Sequence, residues 1–319
     1  MARILVTGGA GFIGGAMAEA LAKDPENEVL VFDNLLTGAL CKLPRSENNN
    51  VHFIQGDVNH FEDIAKVFRA WDFEYVFHYA ALVGVLRTLQ SPIKVLEDID
   101  GIRNVLELSK IGNVKRVFYS SSSEVYGEPF EIPQNEQTTP LNSRLPYAIV
   151  KNVGEAYLRS FHQEHQLNYT IFRFFNTYGP KQSDDFVMTK FIKAALKGDD
   201  ITIYGDGAQT RTFCHIKDNV AACKRIFEAN LHLNDTVNIG SDKEIPIIDL
   251  AKKILEISQG NGKIIHLPAL SEGDMTRRCP DNSKMKNILQ RELISLEDGI
   301  KELCEYLKEE EHVRNHSSR

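Results

Sequence analysis

A tyrosine and a lysine, Tyr147 and Lys151, stand four residues apart in a segment whose apolar periodicity predicts a helix from about residue 146 to 165. Residues at this spacing lie on one face of a helix, so the lysine ammonium can sit beside the phenol. A neighbouring positive charge favours the phenolate and makes the tyrosine a better general base. Because the spacing is common by chance, a surface helix with an extended lysine is the alternative interpretation.

Hydroxyl and carboxylate side chains that can act with this pair occur just upstream. A run of four serines ends in Ser122 and Ser123, and Glu124 follows. The run begins at the end of a predicted strand at 116–120, and open α/β sheets bind their ligands at the carboxyl ends of their strands. We therefore expect these groups to face the same ligand as Tyr147.

The elements that must position these residues follow an alternating pattern. Short β-branched runs alternate with helical periods through the first half of the chain, which is typical of βαβ units. We predict an α/β fold with a doubly wound parallel sheet of the Rossmann type and a smaller C-terminal substrate-binding lobe. The expected organisation is an NAD-binding domain at 1–175 with a returning segment near 210–240, a substrate-binding lobe at 176–308 and a disordered tail at 309–319.

A glycine-rich turn follows the first predicted strand and opens the first helix. Its glycines, Gly8, Gly11 and Gly14, allow a tight turn, a close approach to a pyrophosphate and contact with the helix N-terminus. The second strand ends in Asp33, where a carboxylate can bond both ribose hydroxyls and repels a 2′-phosphate. We therefore expect NAD rather than NADP as cofactor, with a tight turn that binds no ligand as the alternative.

Further cofactor contacts are expected beside the next strands. Asp57 can reach the adenine amino group, although a helix-capping role is the alternative. Ala80 and Ala81 leave room for the cofactor beyond the fourth strand. The predicted cofactor-binding residues are Gly8, Gly11, Phe12, Ile13, Gly14, Asp33, Asn34, Asp57, Val58, Ala80, Ala81, Tyr147 and Lys151.

Five motifs in order resemble a known family over nearly the whole chain. The chain resembles the NAD-dependent nucleotide-sugar epimerases, dehydratases and decarboxylases of the extended short-chain dehydrogenase/reductase family. That resemblance implies an enzyme with a nucleotide diphosphate sugar as substrate and a homodimer or dimer-based oligomer as assembly. The motifs are the glycine turn, the segment Ser120–Gly127, the pair Tyr147 and Lys151, the segment Arg173–Pro180 and the segment Gly205–Arg211.

The resemblance also implies roles for individual residues. Ser122 would complete a catalytic triad by bonding the substrate hydroxyl, while Tyr147 takes its proton and the C4 hydride passes to NAD. Lys151 would hold the nicotinamide ribose. The residues implied to bind the diphosphate and the sugar are Asn176, Arg211 and Arg278, with structural ion pairs as the alternative for the two arginines.

The reaction that follows C4 oxidation depends on the residues beside Ser122. Similar dehydratases carry an Asp–Glu pair, whereas this chain has Ser123 and Glu124 and so lacks one acid/base group. A Ser–Glu pair is similar to UDP-glucuronate decarboxylases, which need a cation for the substrate carboxylate. Arg144 and Arg87 are the candidates, and a solvated or ion-paired side chain is the alternative for each.

A 4-epimerase needs no chemistry at C5, and we rank this reaction first. Decarboxylation comes second, followed by 4,6-dehydration and release of the keto sugar by a plain C4 dehydrogenase. An NAD-binding sensor without turnover is the non-enzymatic alternative, but such proteins have lost the Tyr–Lys pair that this chain keeps.

Asp98 departs from the family pattern, in which an asparagine usually precedes the glycine of this helix. Here the sequence reads Asp98-Ile99-Asp100-Gly101. A carboxylate at this place either favours the positively charged oxidised cofactor or accepts a hydrogen bond in helix packing. The sequence alone leaves both interpretations open.

Composition excludes several classes of partner. A formal net charge of −7 and an isoelectric point near 5.8 argue against nucleic acid and anionic membranes as partners. The five cysteines are widely spaced and form no Cys-x-x-Cys pair, so we expect no metal site and a reducing compartment. The first strand begins close to the N-terminus, and no run of eighteen apolar residues occurs. We expect neither a signal peptide nor a membrane span, and a cytoplasmic location.

Overall fold

The computed structural model describes residues 2–44, 48–268 and 276–317. The chain divides into two compact units, each with its own hydrophobic core. The first unit includes a late segment of the chain, Val220–Ile239, whereas residues 128–139 belong to the second unit. The first unit comprises Met1–Gly127, Pro140–Phe174 and Val220–Ile239, and the second comprises Glu128–Thr139, Phe175–Asn219 and Gly240–Arg319.

Runs of β-branched and aromatic residues form the strands, because such side chains pack well on a pleated surface. The first two strands each contain a continuous apolar run, at 4–6 and 29–32, which is typical of strands covered on both faces. The strands are β1 (Ala2–Thr7), β2 (Asn27–Asp33), β3 (Val51–Gln55), β4 (Tyr75–His78), β5 (Arg116–Ser122), β6 (Tyr169–Phe174), β7 (Thr177–Tyr178), β8 (Ile201–Tyr204), β9 (Thr210–Thr212), β10 (Cys214–His215), β11 (Asp235–Ile239), β12 (Glu244–Pro246) and β13 (Ile264–Leu267).

The helices connect these strands and cover the sheet. The longer ones combine an apolar stripe with strong helix formers. They are α1 (Phe12–Ala22), α2 (Phe61–Ala70), α3 (Val85–Gln90), α4 (Pro92–Leu96), α5 (Asp98–Ile111), α6 (Pro146–His165), α7 (Val187–Lys197), α8 (Ile216–Glu228), α9 (Ile247–Ser258), α10 (Ser283–Leu289) and α11 (Leu296–Ser317).

The first unit is built on one parallel sheet. Seven strands of the described chain pair in the order β11-β6-β5-β4-β1-β2-β3, and every pairing in this sheet is parallel. The order reverses beside β1. Strand β1, which leads into the glycine turn, and strand β5, which carries the start of the serine run, both pair with β4. The predicted Rossmann-type α/β fold is therefore confirmed.

The second unit has a core of its own. Helices α7, α9 and α11 pack together around buried apolar side chains that include Ile192, Leu250 and Leu303. Short strand pairs, β7 with β10, β8 with β13 and β9 with β12, complete this unit in the described residues.

One helical segment is broken, and one predicted element differs from the structure. The segment that begins at Pro92 is split into α4 and α5, because the backbone N–H of Asp100 bonds to the carbonyl oxygen of Glu97 in a tighter step of three residues. The tail expected to be disordered is helical to Ser317, since α11 continues into it. The earlier part of α11 is anchored in the core of the second unit by Leu303 and Leu307. Each further Glu or Lys extends the helix by one backbone hydrogen bond at little conformational cost.

A buried ion pair joins helix α6 to the sheet. Glu155 on α6 accepts two hydrogen bonds from the guanidinium of Arg173 on β6, at 2.8 and 2.7 Å, and a third from the Ser121 hydroxyl at 2.7 Å. Both charged side chains are at most 2% exposed. Burial alone would raise the pKa of Glu155, but the hydrogen bonds from Arg173 hold that pKa below its usual value.

Replacing Glu155 with Ala should lower the free energy of unfolding by about 3 to 5 kcal/mol, because it leaves the Arg173 charge buried without its carboxylate. Urea denaturation would measure the loss. Glu164→Ala on the same helix is the control, since that side chain is 70% exposed and should change stability little. Equal stability losses in the two variants would contradict the role of the buried pair.

Candidate active site

The glycine turn between β1 and α1 contains backbone contacts that only glycine permits. Gly8 has a φ of +70°, and a Cβ there would lie 2.6 Å from the backbone nitrogen of Ala80. A Cβ on Gly14 would lie 2.4 Å from the Gly8 carbonyl oxygen. The structure therefore brings together three of the residues predicted to contact the cofactor.

Helix α1 begins at Phe12, and no side chain caps its first turn. The N–H groups of Phe12, Ile13 and Gly14 lie in this first turn, where intrahelical partners are missing and the helix dipole favours a negative charge. A phosphate group fits such donors. The turn and the helix start thus suit the pyrophosphate of a dinucleotide.

Asp33, at the end of β2, is buried and braces the glycine turn. Its carboxylate accepts hydrogen bonds from the backbone N–H groups of Ala10 at 3.0 Å and Leu35 at 2.8 Å. Burial raises the pKa of Asp33, and these two bonds act against that rise. Beside it, the Asn34 amide donates to the Asp57 carboxylate at 2.8 Å, so the predicted adenosine-side residues lie together.

Lys151 is buried on α6, where its ammonium donates a hydrogen bond of 2.7 Å to the carbonyl oxygen of Ser120 at the end of β5. The same nitrogen lies 5.7 Å from the ring centre of Tyr147. Burial lowers the pKa of Lys151 to about 8, and the charge of Asp98 opposes this lowering. Tyr147 is half-buried against the core of the first unit, so the predicted pair lies together at the end of β5.

The serine run separates into residues with different surroundings. Ser121 bonds the buried Glu155, and Ser123 is only 2% exposed. Ser122 is half-buried, and its hydroxyl accepts the backbone N–H of Glu124 at 3.2 Å as a short 3-10 turn begins. This bond ties the backbone of Glu124 to the Ser122 side chain at the start of the turn.

The two arginines expected to bind a substrate carboxylate differ in their surroundings. Arg87, on α3, donates a hydrogen bond of 2.8 Å to the carbonyl oxygen of Val83, four residues earlier. Arg144 is exposed and stands shortly before Pro146, the first residue of α6. The structure thus ties Arg87 to its own segment and leaves Arg144 at the surface.

The second unit carries the three residues predicted to bind the diphosphate. Asn176 donates to the Thr212 carbonyl oxygen at 3.0 Å, which places it against strand β9 and next to Arg211. The backbone N–H of Thr210 bonds to Thr276 at 3.1 Å and brings the segment with Arg278 to the same strand. Arg211 and Arg278 are both at most 8% exposed, so both residues are buried in the described structure.

Sequence analysis did not identify two residues with buried rings near Lys151, His78 and Tyr119. His78, at the end of β4, shares a 2.8 Å hydrogen bond with the Thr7 hydroxyl, and burial lowers its pKa to about 3. The Tyr119 ring centre lies 5.2 Å from the Lys151 nitrogen. His78 comes two residues before Ala80, and this position at a strand end is the signal that could have identified it.

Comparisons with known proteins agree with this geometry. A model of the NAD dependent epimerase/dehydratase family matches residues 4–240. The chain is 34% identical to a UDP-N-acetyl-alpha-D-glucosaminuronate decarboxylase of Bacillus cytotoxicus, over 97% of this chain and 99% of that protein. The chain belongs to the NAD-dependent epimerase/dehydratase family, and it is an NAD-dependent enzyme.

Solved structures of similar proteins share the whole fold. The crystal structure of the UDP-glucose 4-epimerase of Thermotoga maritima with UDP-glucose has a TM-score of 0.90 and 32% identity, and the match covers 97% of this chain and 99% of that one. The UDP-glucose 4-epimerase of Thermus thermophilus in complex with NAD has a TM-score of 0.87 and 28% identity, with 96% and 99% coverage. No helix in the described residues is both long and apolar enough to cross a membrane.

Asp33→Asn should narrow the preference for NAD over NADP by about tenfold, which corresponds to ~1.4 kcal/mol. The neutral side chain no longer repels a 2′-phosphate. Isothermal titration calorimetry with each dinucleotide would measure the ratio of the two affinities. Asp72→Asn is the matched control because its side chain is 88% exposed, and an unchanged ratio in Asp33→Asn would contradict the assignment.

Proposed function

We propose that this enzyme oxidises the C4 hydroxyl of a UDP-sugar, and that the C4 ketone then drives loss of a C6 carboxylate from a UDP-hexuronate. The observation that carries the first step is the buried Lys151 ammonium, held by Ser120 beside the ring of Tyr147. The same groups serve the second candidate reaction, which is described below.

The oxidation divides between three side chains. Ser122 bonds the C4 hydroxyl and orients it, and Tyr147 accepts the proton of that hydroxyl as the C4 carbonyl forms. Lys151 favours the phenolate by its charge and bonds the nicotinamide ribose. Bound NAD would supply the acceptor for the C4 hydride and the source of its return. The buried position of Lys151 strengthens these electrostatic effects because the surroundings exclude water.

Loss of the carboxylate requires little further acid/base chemistry. The electrons of the C5–C6 bond pass into the C4 carbonyl as carbon dioxide leaves, and a proton is then added at C5. One carboxyl group, Glu124, stands beside Ser122. The neighbouring Ser123 supplies no second acid, and therefore we rank 4,6-dehydration below the other reactions.

A hexuronate needs a positive charge for its carboxylate, and we assign this role to Arg144. Arg87 is the weaker candidate because its guanidinium bonds the carbonyl of Val83.

We further propose that Asn176, Arg211 and Arg278 bind the diphosphate of the substrate, because a forked guanidinium suits paired phosphate oxygens. The Bacillus relative named as a decarboxylase supports this order of reactions, since the two chains match over nearly their full lengths.

A UDP-sugar 4-epimerase is the second candidate, and the sequence alone ranked it first. The likeness to the Thermotoga epimerase with UDP-glucose favours it. In that reaction the keto sugar turns over in the site and takes the hydride back on its other face. Glu124 and Arg144 would then have no step to perform.

Tyr147→Phe should reduce kcat by about 100-fold or more, because no other group takes the C4 proton. NAD should still bind, since the ring and Lys151 remain. Initial rates and NAD titrations of the same preparation would test both statements. Tyr157→Phe on the same helix is the control and should keep wild-type activity; an active Tyr147→Phe variant would reject Tyr147 as the base.

Incubation with UDP-hexuronates and UDP-hexoses, followed by product mass and NADH absorbance, should distinguish the reactions. We expect a loss of about 44 Da from a UDP-hexuronate, which is the mass of carbon dioxide, without accumulation of NADH. Arg144→Ala should weaken turnover of hexuronates. A hexose product of unchanged mass and altered C4 configuration would favour the epimerase, and accumulating NADH would indicate a dehydrogenase.

A further inference from the structure

Asp98, the first residue of α5, connects two loops that flank the proposed NAD site. One carboxylate oxygen accepts the backbone N–H of Leu82 at 2.7 Å, and the other accepts the Asn59 amide at 3.3 Å. Leu82 directly follows Ala80 and Ala81, and Asn59 lies two residues after Asp57. Asp98 thus bonds to the loop after β4 and to the loop after β3.

The carboxylate of Asp98 also acts on Lys151, the buried ammonium of the site. His78 on β4, Tyr119 on β5 and Tyr147 on α6 are the other titratable groups around that ammonium. Burial keeps His78 neutral at working pH, since its pKa is lowered to about 3, so this ring adds no positive charge that would repel the ammonium. Among the described residues the negative charge that favours protonated Lys151 comes from Asp98.

The hydrogen bonds that Asp98 accepts favour its charged form against the effect of burial. Burial raises the pKa of Asp98, while the Leu82 N–H, the charge of Lys151 and the Asn59 amide act against that rise; the carboxylate of Asp57 adds to it. The bonds from Leu82 and Asn59 and the charge of Lys151 therefore all favour the same ionised form of Asp98.

We infer that Asp98 is a positioning residue that keeps Lys151 positively charged and fixes the loops after β3 and β4 around the cofactor. This inference rests on the proposed role of Lys151 in holding NAD. The sequence left open a hydrogen-bonding and an electrostatic interpretation of Asp98. The structure shows the hydrogen bonds to both loops, and we assign the electrostatic effect to Lys151.

The test is the NAD dissociation constant of the full chain, measured by calorimetry from pH 6 to 10. The wild-type protein should bind NAD more weakly as pH rises through about 8, where Lys151 loses its proton. In Asp98→Asn this alkaline midpoint should fall by about one pH unit, the usual effect of removing one nearby opposite charge. Asp98→Glu keeps the charge and should return the midpoint towards the wild-type value.

Two controls make the result specific. Asp100→Asn makes the same chemical change on the same helix, but this side chain is 57% exposed and paired with Arg103, so the midpoint should not move. Lys151→Arg should abolish the alkaline midpoint, because arginine does not titrate in this range. If Asp98→Asn does not fold, Asp98→Ser provides the same loss of charge with a smaller polar side chain.

The possible outcomes separate the inference from the proposed function. A wild-type midpoint that is unmoved in the neutral Asp98 variants would overturn the role of Asp98 alone. A wild-type protein that binds NAD equally well from pH 6 to 10 would reject the contribution of Lys151 to cofactor binding, and the inference with it. A midpoint that shifts in Asp100→Asn as much as in Asp98→Asn would show a general charge effect and would also overturn it.

Discussion

The burial of a lysine charge is the constraint on which the architecture of the first unit depends. An ammonium removed from water is stable only where fixed oxygen atoms and a counter-charge surround it. Lys151 finds these in the Ser120 carbonyl at the end of β5 and in Asp98 at the start of α5. Both interactions of the Lys151 ammonium can therefore form at only one position of helix α6 along the sheet.

One turn further along α6, a second buried charge reinforces this position. Glu155 bonds Ser121 on β5 and Arg173 on β6, and Arg173 also donates to the Tyr126 hydroxyl at 2.8 Å. Tyr126 in turn donates to Asn238 on β11. Since Tyr126 closes the short turn that begins at Ser123, this network fixes both ends of the segment that carries Glu124. Side chains outside the proposed catalytic set thus hold the segment in place.

The sequence predicted the parts of the fold and site that depend on local rules. The glycine turn, the end of β2 at Asp33 and the spacing of Tyr147 and Lys151 each have a short-range physical signature. The break at Glu97, the seventh strand β11 and the transfer of residues 128–139 to the second unit have none, because they depend on contacts between distant segments. The same limitation applies to His78, whose environment arises from neighbouring strands.

The contact between Gly8 and Ala80 has a mechanical consequence. No side chain separates the turn after β1 from the end of β4, so the two backbones meet directly. Side chains that intervene between loops can adjust by rotation, whereas peptide groups in direct contact transmit displacement. A displacement of the glycine turn should therefore move the segment that begins at Ala80 with it.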